Sequence, residues 1–256
     1  MGKSSPNIKA LLIALAKWVS AKAICGCALM VALAAFAVTP SDISARAKLY
    51  LPMLKEEQVR WWPEMQTQSA LGGQVEQESC ISLKSKMCWN PHAQLRTSRE
   101  QGVGLGQITR AFRADGSVRF DALAEMRAAH PQALGAWSWD KASLYDPRFQ
   151  LRGLVLKDRQ CWASIHAVPL AYERLAMSLV CYNAGAGRVI SDRKVCEATA
   201  GCDPGIWFGN VENTSRLPNT PLGPGYGGRS ARSISRAYPK DILTVKRLKY
   251  VTALEM

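Results

Sequence analysis

Glu78 closes a helical-looking run, Gln77-Glu78-Ser79, and a cysteine, Cys80, follows it. Downstream, in order, stand Ser98-Arg99-Glu100-Gln101-Gly102-Val103-Gly104-Leu105-Gly106-Gln107-Ile108-Thr109 and Tyr182-Asn183-Ala184-Gly185. A glutamate held in a partly apolar cleft keeps its proton to about pH 6 and can serve as a general acid. Breaking a glycosidic bond needs such an acid at the leaving oxygen while positive charge develops at the anomeric carbon. Glu78 is the candidate acid, with the Ser79 hydroxyl placed to hold local geometry and Cys80 to pin the next loop. Glu76, two residues away, points to another face of a helix and reads as a surface carboxylate. Glu100 is a secondary acid candidate that could hold a water for hydrolysis; the plainer alternative is a surface ion pair with Arg96 or Arg99.

Each short stretch has an ordinary reading as well. Asn183-Ala184-Gly185 alone is a helix C-cap, and Gln107 alone is a polar group satisfied by backbone. Gly-x-Gly-Leu-Gly resembles a nucleotide loop, but no strand precedes it and no Lys-Ser/Thr follows. Trp61-Trp62 can stack on sugar or pack a helix onto the core, and packing is the commoner use.

The chain of 256 residues is 48% hydrophobic, enough to bury a real core. Its formal net charge is +13, of which Lys3, Lys9, Lys17 and Lys22 supply the N-terminal share, leaving about +9 on the rest. That balance suits an anionic partner such as nucleic acid, an acidic membrane surface or the carboxylate-rich bacterial wall. Zinc-finger spacing, RNA-binding aromatic motifs and a continuous basic helix are missing from the sequence, which argues against nucleic acid.

Residues 1–38 carry two apolar runs, Ala10–Ala16 and Ala23–Val38, separated by Lys17 and Lys22, and end in Ala35-Phe36-Ala37. A cleaved signal peptide and a retained inner-membrane anchor both fit. Either exports the rest of the chain to the periplasm. Cys25 and Cys27 lie in this segment. The other six cysteines read as a disulfide set, with short separations favouring Cys80–Cys88 and Cys196–Cys202 and leaving Cys161–Cys181. Metal binding is the competing reading, but Cys-x-x-Cys pairs are missing and His92, His130 and His166 are scattered. Neither a metal nor a cofactor is expected.

The elements that must position these residues are mainly helical. An amphipathic helix spans Ile43–Arg60, broken near Pro52, and Leu71–Ser79 forms another. Ile81–Thr97 reads as loop, Val103–Phe112 starts a helix, and Ala114–Tyr145 is less ordered. Asp146-Pro147 opens a helix to about Ala163, and Leu170–Tyr182 is a further apolar-periodic helix. The stretch 196–228 is rich in Pro and Gly, and Ser230–Leu248 closes as a basic helix. Strand signals are few.

The three motifs together, in this order, resemble the soluble lytic transglycosylase family of the lysozyme-like superfamily. Glu78-Ser79 stands where the family reads Glu-Ser. Ser98 through Gln107 align on its Ser-Pro-Lys-Gly-Ala-x-Gly-Leu-Met-Gln pattern, with Ser98, Gly104, Leu105 and Gln107 matching and Gly106 replacing Met. Tyr182-Asn183-Ala184-Gly185 matches in full. The family's Glu-Thr-x-x-Tyr signature is replaced by Arg232–Tyr238, with Tyr238 as counterpart of its tyrosine. The resemblance implies one lysozyme-like domain over residues 39–256, with Glu78 as acid and then base. It implies cleavage of the β-1,4 bond between N-acetylmuramic acid and N-acetylglucosamine in peptidoglycan, giving a 1,6-anhydro product. Ser79, Ser98, Gly104, Leu105, Gln107, Tyr182, Asn183 and Tyr238 would line the sugar sites. Two rivals stand beside it: a hydrolytic lysozyme or phage endolysin with a releasable anchor, and a wall-binding protein without catalysis.

Overall fold

The computed structural model describes residues 43–223 and 226–256. The apolar segment 1–38, with Cys25 and Cys27, lies outside the described residues. Helix α1 (Ala45–Trp61) is built from good helix formers. It runs on through Pro52 rather than breaking there, because Leu51, Leu54, Glu57 and Gln58 stay on one buried stripe. A proline costs about 3 kcal/mol inside a helix, so packing must offset it. Glu57 anchors that packing: Arg152 reaches it at 2.8 Å and Arg148 at 3.0 Å. Burial works to raise the Glu57 pKa, but the two guanidinium groups win and hold the carboxyl below its usual range.

Helix α2 (Ser69–Ser79) ends at the candidate acid. A four-stranded antiparallel meander follows, β1 (Gln94–Arg96), β2 (Glu100–Val103), β3 (Ile108–Phe112) and β4 (Val118–Asp121). This corrects the helix expected from Val103 to Phe112. Val103 pairs with Ile108 across a tight turn, in which Gly104 (φ 82°) and Gln107 (φ 43°) are both left-handed. A right-handed helix cannot hold such residues.

Residues 114–145, expected to be less ordered, form β4, helix α3 (Ala122–Ala129), the short α4 (Pro131–Leu134) and a 3-10 turn at Ala142–Tyr145. They surround a core of their own, with Leu134 and Trp137 at its centre beside Val103, Ile108, Leu123 and Leu156. Asp121 caps α3 through the Ala124 N–H at 2.9 Å and also accepts from the Trp139 indole.

Helix α5 (Pro147–Ser164), capped by Asp146, runs between the two cores and supplies side chains to both. Helices α6 (Ala171–Ala184) and α7 (Ala186–Glu197) follow; α7 was not among the expected elements. Helix α8 (Ala231–Asp241) starts at a capping box of Ser230 and Ser233. It passes into a π turn (Ile242–Lys246), a 3-10 turn (Arg247–Tyr250) and α9 (Val251–Leu254). Disulfides join Cys80 to Cys88, Cys161 to Cys181 and Cys196 to Cys202, the pairing that the spacing favoured. With these sulfurs paired, the metal-ligand reading of the six cysteines falls. Trp62 is buried and tilts against Trp162, so it packs the core. Among the described residues, no helix is long and apolar enough to cross a membrane.

Gln150 on α5 ties the sheet to the helices. Its amide donates to Pro91 O (2.9 Å) and Leu144 O (2.8 Å), and its oxygen accepts from Leu105 N (2.9 Å), all buried. Gln150→Ala would strand three backbone groups, each worth about 1 kcal/mol or more when left unpaired. Urea unfolding should show a loss of about 3 kcal/mol; a loss under 1 kcal/mol would mean the tie is not structural.

Candidate active site

Two adjacent glycines decide how α2 is held. A Cβ on Gly72 would lie 2.6 Å from the Tyr250 ring, and one on Gly73 would lie 2.8 Å from the Arg247 backbone nitrogen. Each glycine costs a helix about 1 kcal/mol relative to alanine. In exchange, the segment 242–250 lies directly against the backbone of α2.

From that position, the C-terminal segments grip three successive α2 residues. Lys249 pairs with Glu76 at 2.5 Å and Tyr250 donates to its other oxygen at 2.7 Å. Lys246 donates to the Gln77 side chain at 2.5 Å. The Tyr238 hydroxyl donates to Glu78 Oε1. Glu76 is therefore a buried ion-paired residue, which corrects its reading as a surface carboxylate.

Glu78 is half-buried in the last turn of α2. Loss of solvation raises its pKa to about 7, against the opposing pull of the Tyr238 hydroxyl and the Lys157 and Lys246 ammonium groups. It is thus a carboxyl that holds a proton near neutrality yet can release it. Ser79, beside it, is buried; its hydroxyl donates to Val75 O (2.7 Å) and accepts from Trp89 N (3.0 Å). That bond and the Cys80–Cys88 disulfide fix the loop that leaves the acid.

The second motif supplies the β2–β3 turn. A Cβ on Gly104 would meet the Gln150 amide at 2.2–2.4 Å, and its φ of 82° also demands glycine. Leu105 is buried in the main core. Gln107 donates to Gly104 O (2.9 Å) and Ala93 O (3.3 Å), so its amide hydrogens brace the turn. Gly106 brings the second and third motifs together: the Tyr182 hydroxyl donates to its carbonyl at 2.6 Å. A side chain there would start 2.7 Å from that hydroxyl.

Other expected site residues lie further out. Ser98 is exposed in the β1–β2 turn, and Asn183 is exposed in the last turn of α6. Glu100 accepts a hydrogen bond from the Tyr226 hydroxyl instead of pairing with Arg96 or Arg99. It starts β2, four residues before Gly104, about 13 Å by strand rise.

The sequence reading missed the charged pair Lys157-Asp158 and their neighbour Gln74. Asp158 is buried and accepts from Gln74 Nε2 at 3.2 Å. The remaining oxygens, Asp158 Oδ2 and Gln74 Oε1, are both buried without a partner. Burial drives the Asp158 pKa up to about 8, with Gln74 and Lys157 opposing. A proton on Asp158 supplies the donor that these two acceptors lack. The signal was present in the sequence: Leu151, Leu154, Val155, Asp158 and Cys161 make one helical stripe, with an acid at a core position.

Among the described residues, no group of three or more His, Cys, Asp or Glu side chains is placed to hold a metal ion. No protein-family model matches the chain, and no curated protein matches it.

The raised pKa values have a thermodynamic consequence. A carboxyl whose folded pKa lies above its unfolded value stabilises the fold at low pH and loses that contribution as pH rises to the folded pKa. For Asp158 the window runs from about 4 to about 8. Asp158→Asn cannot ionise, so its melting temperature should diverge upward from wild type between pH 5 and pH 8, by several degrees at pH 8. Parallel curves would rule out a neutral Asp158.

Proposed function

We propose that this chain cleaves the glycan strands of peptidoglycan without water, as a lytic transglycosylase, with Glu78 as its acid and base. The observation that carries the reading is Glu78 itself: a half-buried carboxyl with a pKa of about 7, gripped by Tyr238. Tyr182, whose hydroxyl feels the Glu78 carboxylate and donates to Gly106, joins it to the other two motifs on which the family resemblance rests.

Glu78 gives its proton to the glycosidic oxygen as the bond from that oxygen to the muramic acid C1 breaks. The substrate's N-acetyl group stabilises the positive charge left behind. The Glu78 carboxylate then takes the proton of the sugar's 6-hydroxyl while O6 bonds to C1, which closes the 1,6-anhydro ring and restores the acid. One carboxyl serves both steps, and a pKa near the working pH suits a group that must give and retrieve a proton. An inverting hydrolase would need a second carboxylate to activate water. Its candidate, Glu100, is engaged by Tyr226.

Three disulfides suit an oxidising compartment, which supports an exported, periplasmic protein. The expected inner-membrane contact belongs to residues 1–38.

Glu78→Gln should keep the fold and lose at least about a thousandfold in sacculus clearing, the scale expected when general acid catalysis is removed. Full activity in that variant would overturn the assignment. Mass spectrometry should find anhydro-muropeptides; reducing ends would make the enzyme a hydrolase. Wild-type kcat/KM should fall as pH rises through about 7, where Glu78 loses its proton. Tyr238→Phe removes the hydrogen bond that holds this pKa down, so the alkaline limb should move to higher pH. A limb that stays in place would separate Tyr238 from the titration of Glu78.

A further inference from the structure

Three lysines lie around the catalytic helix, and two have partners within the protein. Lys249 is paired with Glu76, and Lys246 donates to Gln77. Lys157, on α5, is different. Its ammonium nitrogen sits 4.1 Å from the centroid of the Tyr182 ring, and among the described residues it makes no hydrogen bond and no ion pair within 4 Å. A cation over an aromatic face is attracted to it, but the ring accepts none of its three N–H bonds in the usual sense.

Its surroundings make this costly. Lys157 is only partly exposed, and loss of solvation pulls its pKa down while Glu78, Asp158 and Glu125 act at longer range to raise it. Asp158 points its own hydrogen bonding toward Gln74. The carboxylate that acts most strongly on it is Glu78, which Tyr238 already holds. A protein cation in this condition lacks an anion, and the ring beneath it belongs to the Tyr-Asn-Ala-Gly motif.

We propose that Lys157 is a carboxylate-binding subsite beside the catalytic acid, one that selects the anionic muramyl residue of the glycan. The inference rests on the glycan-cleaving reading given above. A muramyl sugar has two sources for such a carboxylate. Where the stem peptide has been removed, the sugar's own lactyl group ends in a free carboxylate. Where the peptide is present, the lactyl group is an uncharged amide and the peptide supplies its carboxylates further away. A polymer of N-acetylglucosamine alone has neither.

Binding measured without turnover separates these cases. The full chain carrying Glu78→Gln is titrated with three oligosaccharides of equal length: peptide-free N-acetylmuramyl-N-acetylglucosamine, the same with tetrapeptide stems, and N-acetylglucosamine alone. Each titration is repeated after Lys157→Met, which keeps the apolar stem and removes the charge. The expected result is a loss of about tenfold or more in affinity for a muramyl ligand, and less than twofold for the neutral oligomer. A loss confined to the peptide-free glycan assigns the lactyl carboxylate; a loss confined to the peptide-bearing glycan assigns the stem. Equal losses for all three ligands, or no loss for any, would overturn the subsite and leave the glycan reading standing. If none of the three binds before Lys157 is changed, the glycan reading falls and this subsite falls with it. Lys157→Arg, which keeps the charge, should recover most of the muramyl affinity; failure of that rescue alongside a selective Lys157→Met loss would overturn the charge argument.

Discussion

The close approach of the C-terminal segment to α2 governs the rest of the molecule. Gly72 and Gly73 remove the side chains that would separate them, so the backbone at Arg247 and the ring of Tyr250 rest on the helix itself. Glycine weakens a helix, and α2 has only 11 residues. Tertiary packing therefore has to supply its stability. The same docking brings Tyr238, Lys246, Lys249 and Tyr250 to three consecutive side chains, Glu76, Gln77 and Glu78. Of two glutamates two residues apart, Glu76 is ion-paired and Glu78 is held by a hydroxyl alone. Their partners make the difference: an ammonium and a phenol for Glu76, a single phenol for Glu78.

The site behaves as a balance between solvation and pairing. Burial pushes Glu78 and Asp158 toward their neutral forms, and the same burial pushes Lys157 toward its neutral form. Charge on any one of them alters the others, because they act on one another, and on Tyr182 and Tyr238, through surroundings of low dielectric. Asp158 escapes by holding a proton against Gln74. Lys157 has no such escape within the protein. The tyrosine hydroxyls stay protonated throughout, since burial and nearby carboxylates raise their pKa values well above the ordinary value. They act as fixed donors.

Much of this was legible in the sequence, and the losses have specific causes. Helices α1, α2, α5 and α6 follow from apolar periodicity and from the Asp146-Pro147 start. Glu78, Tyr182 and Tyr238 emerge from motif order, and the structure brings Tyr238 to Glu78 across 160 residues. The meander was missed because its strands are three to five residues long. Strands that short show hardly two periods of alternation, and two of the residues that make the turn, Gly104 and Gln107, carry no β signature. The second core was missed because its tryptophans sit between turns and not on a periodic stripe. Asp158 and Lys157 went unremarked within the long helix that Asp146-Pro147 opens. Only their spacing relative to Leu151 and Leu154 marks them as inward.

The grip on α2 also has a dimension in time. The ribosome makes Glu78 long before it makes Tyr238, Lys246 and the residues that press on Gly72 and Gly73. In that interval, α2 is a short glycine-containing segment without its support, and Glu78 is a hydrated glutamate with an ordinary affinity for protons. A carboxyl with a raised pKa comes into being only when the late segment docks. Until then the nascent chain lacks the shifted carboxyl, although the Glu-Ser, Gly-Leu-Gly-Gln and Tyr-Asn-Ala-Gly stretches are already in place.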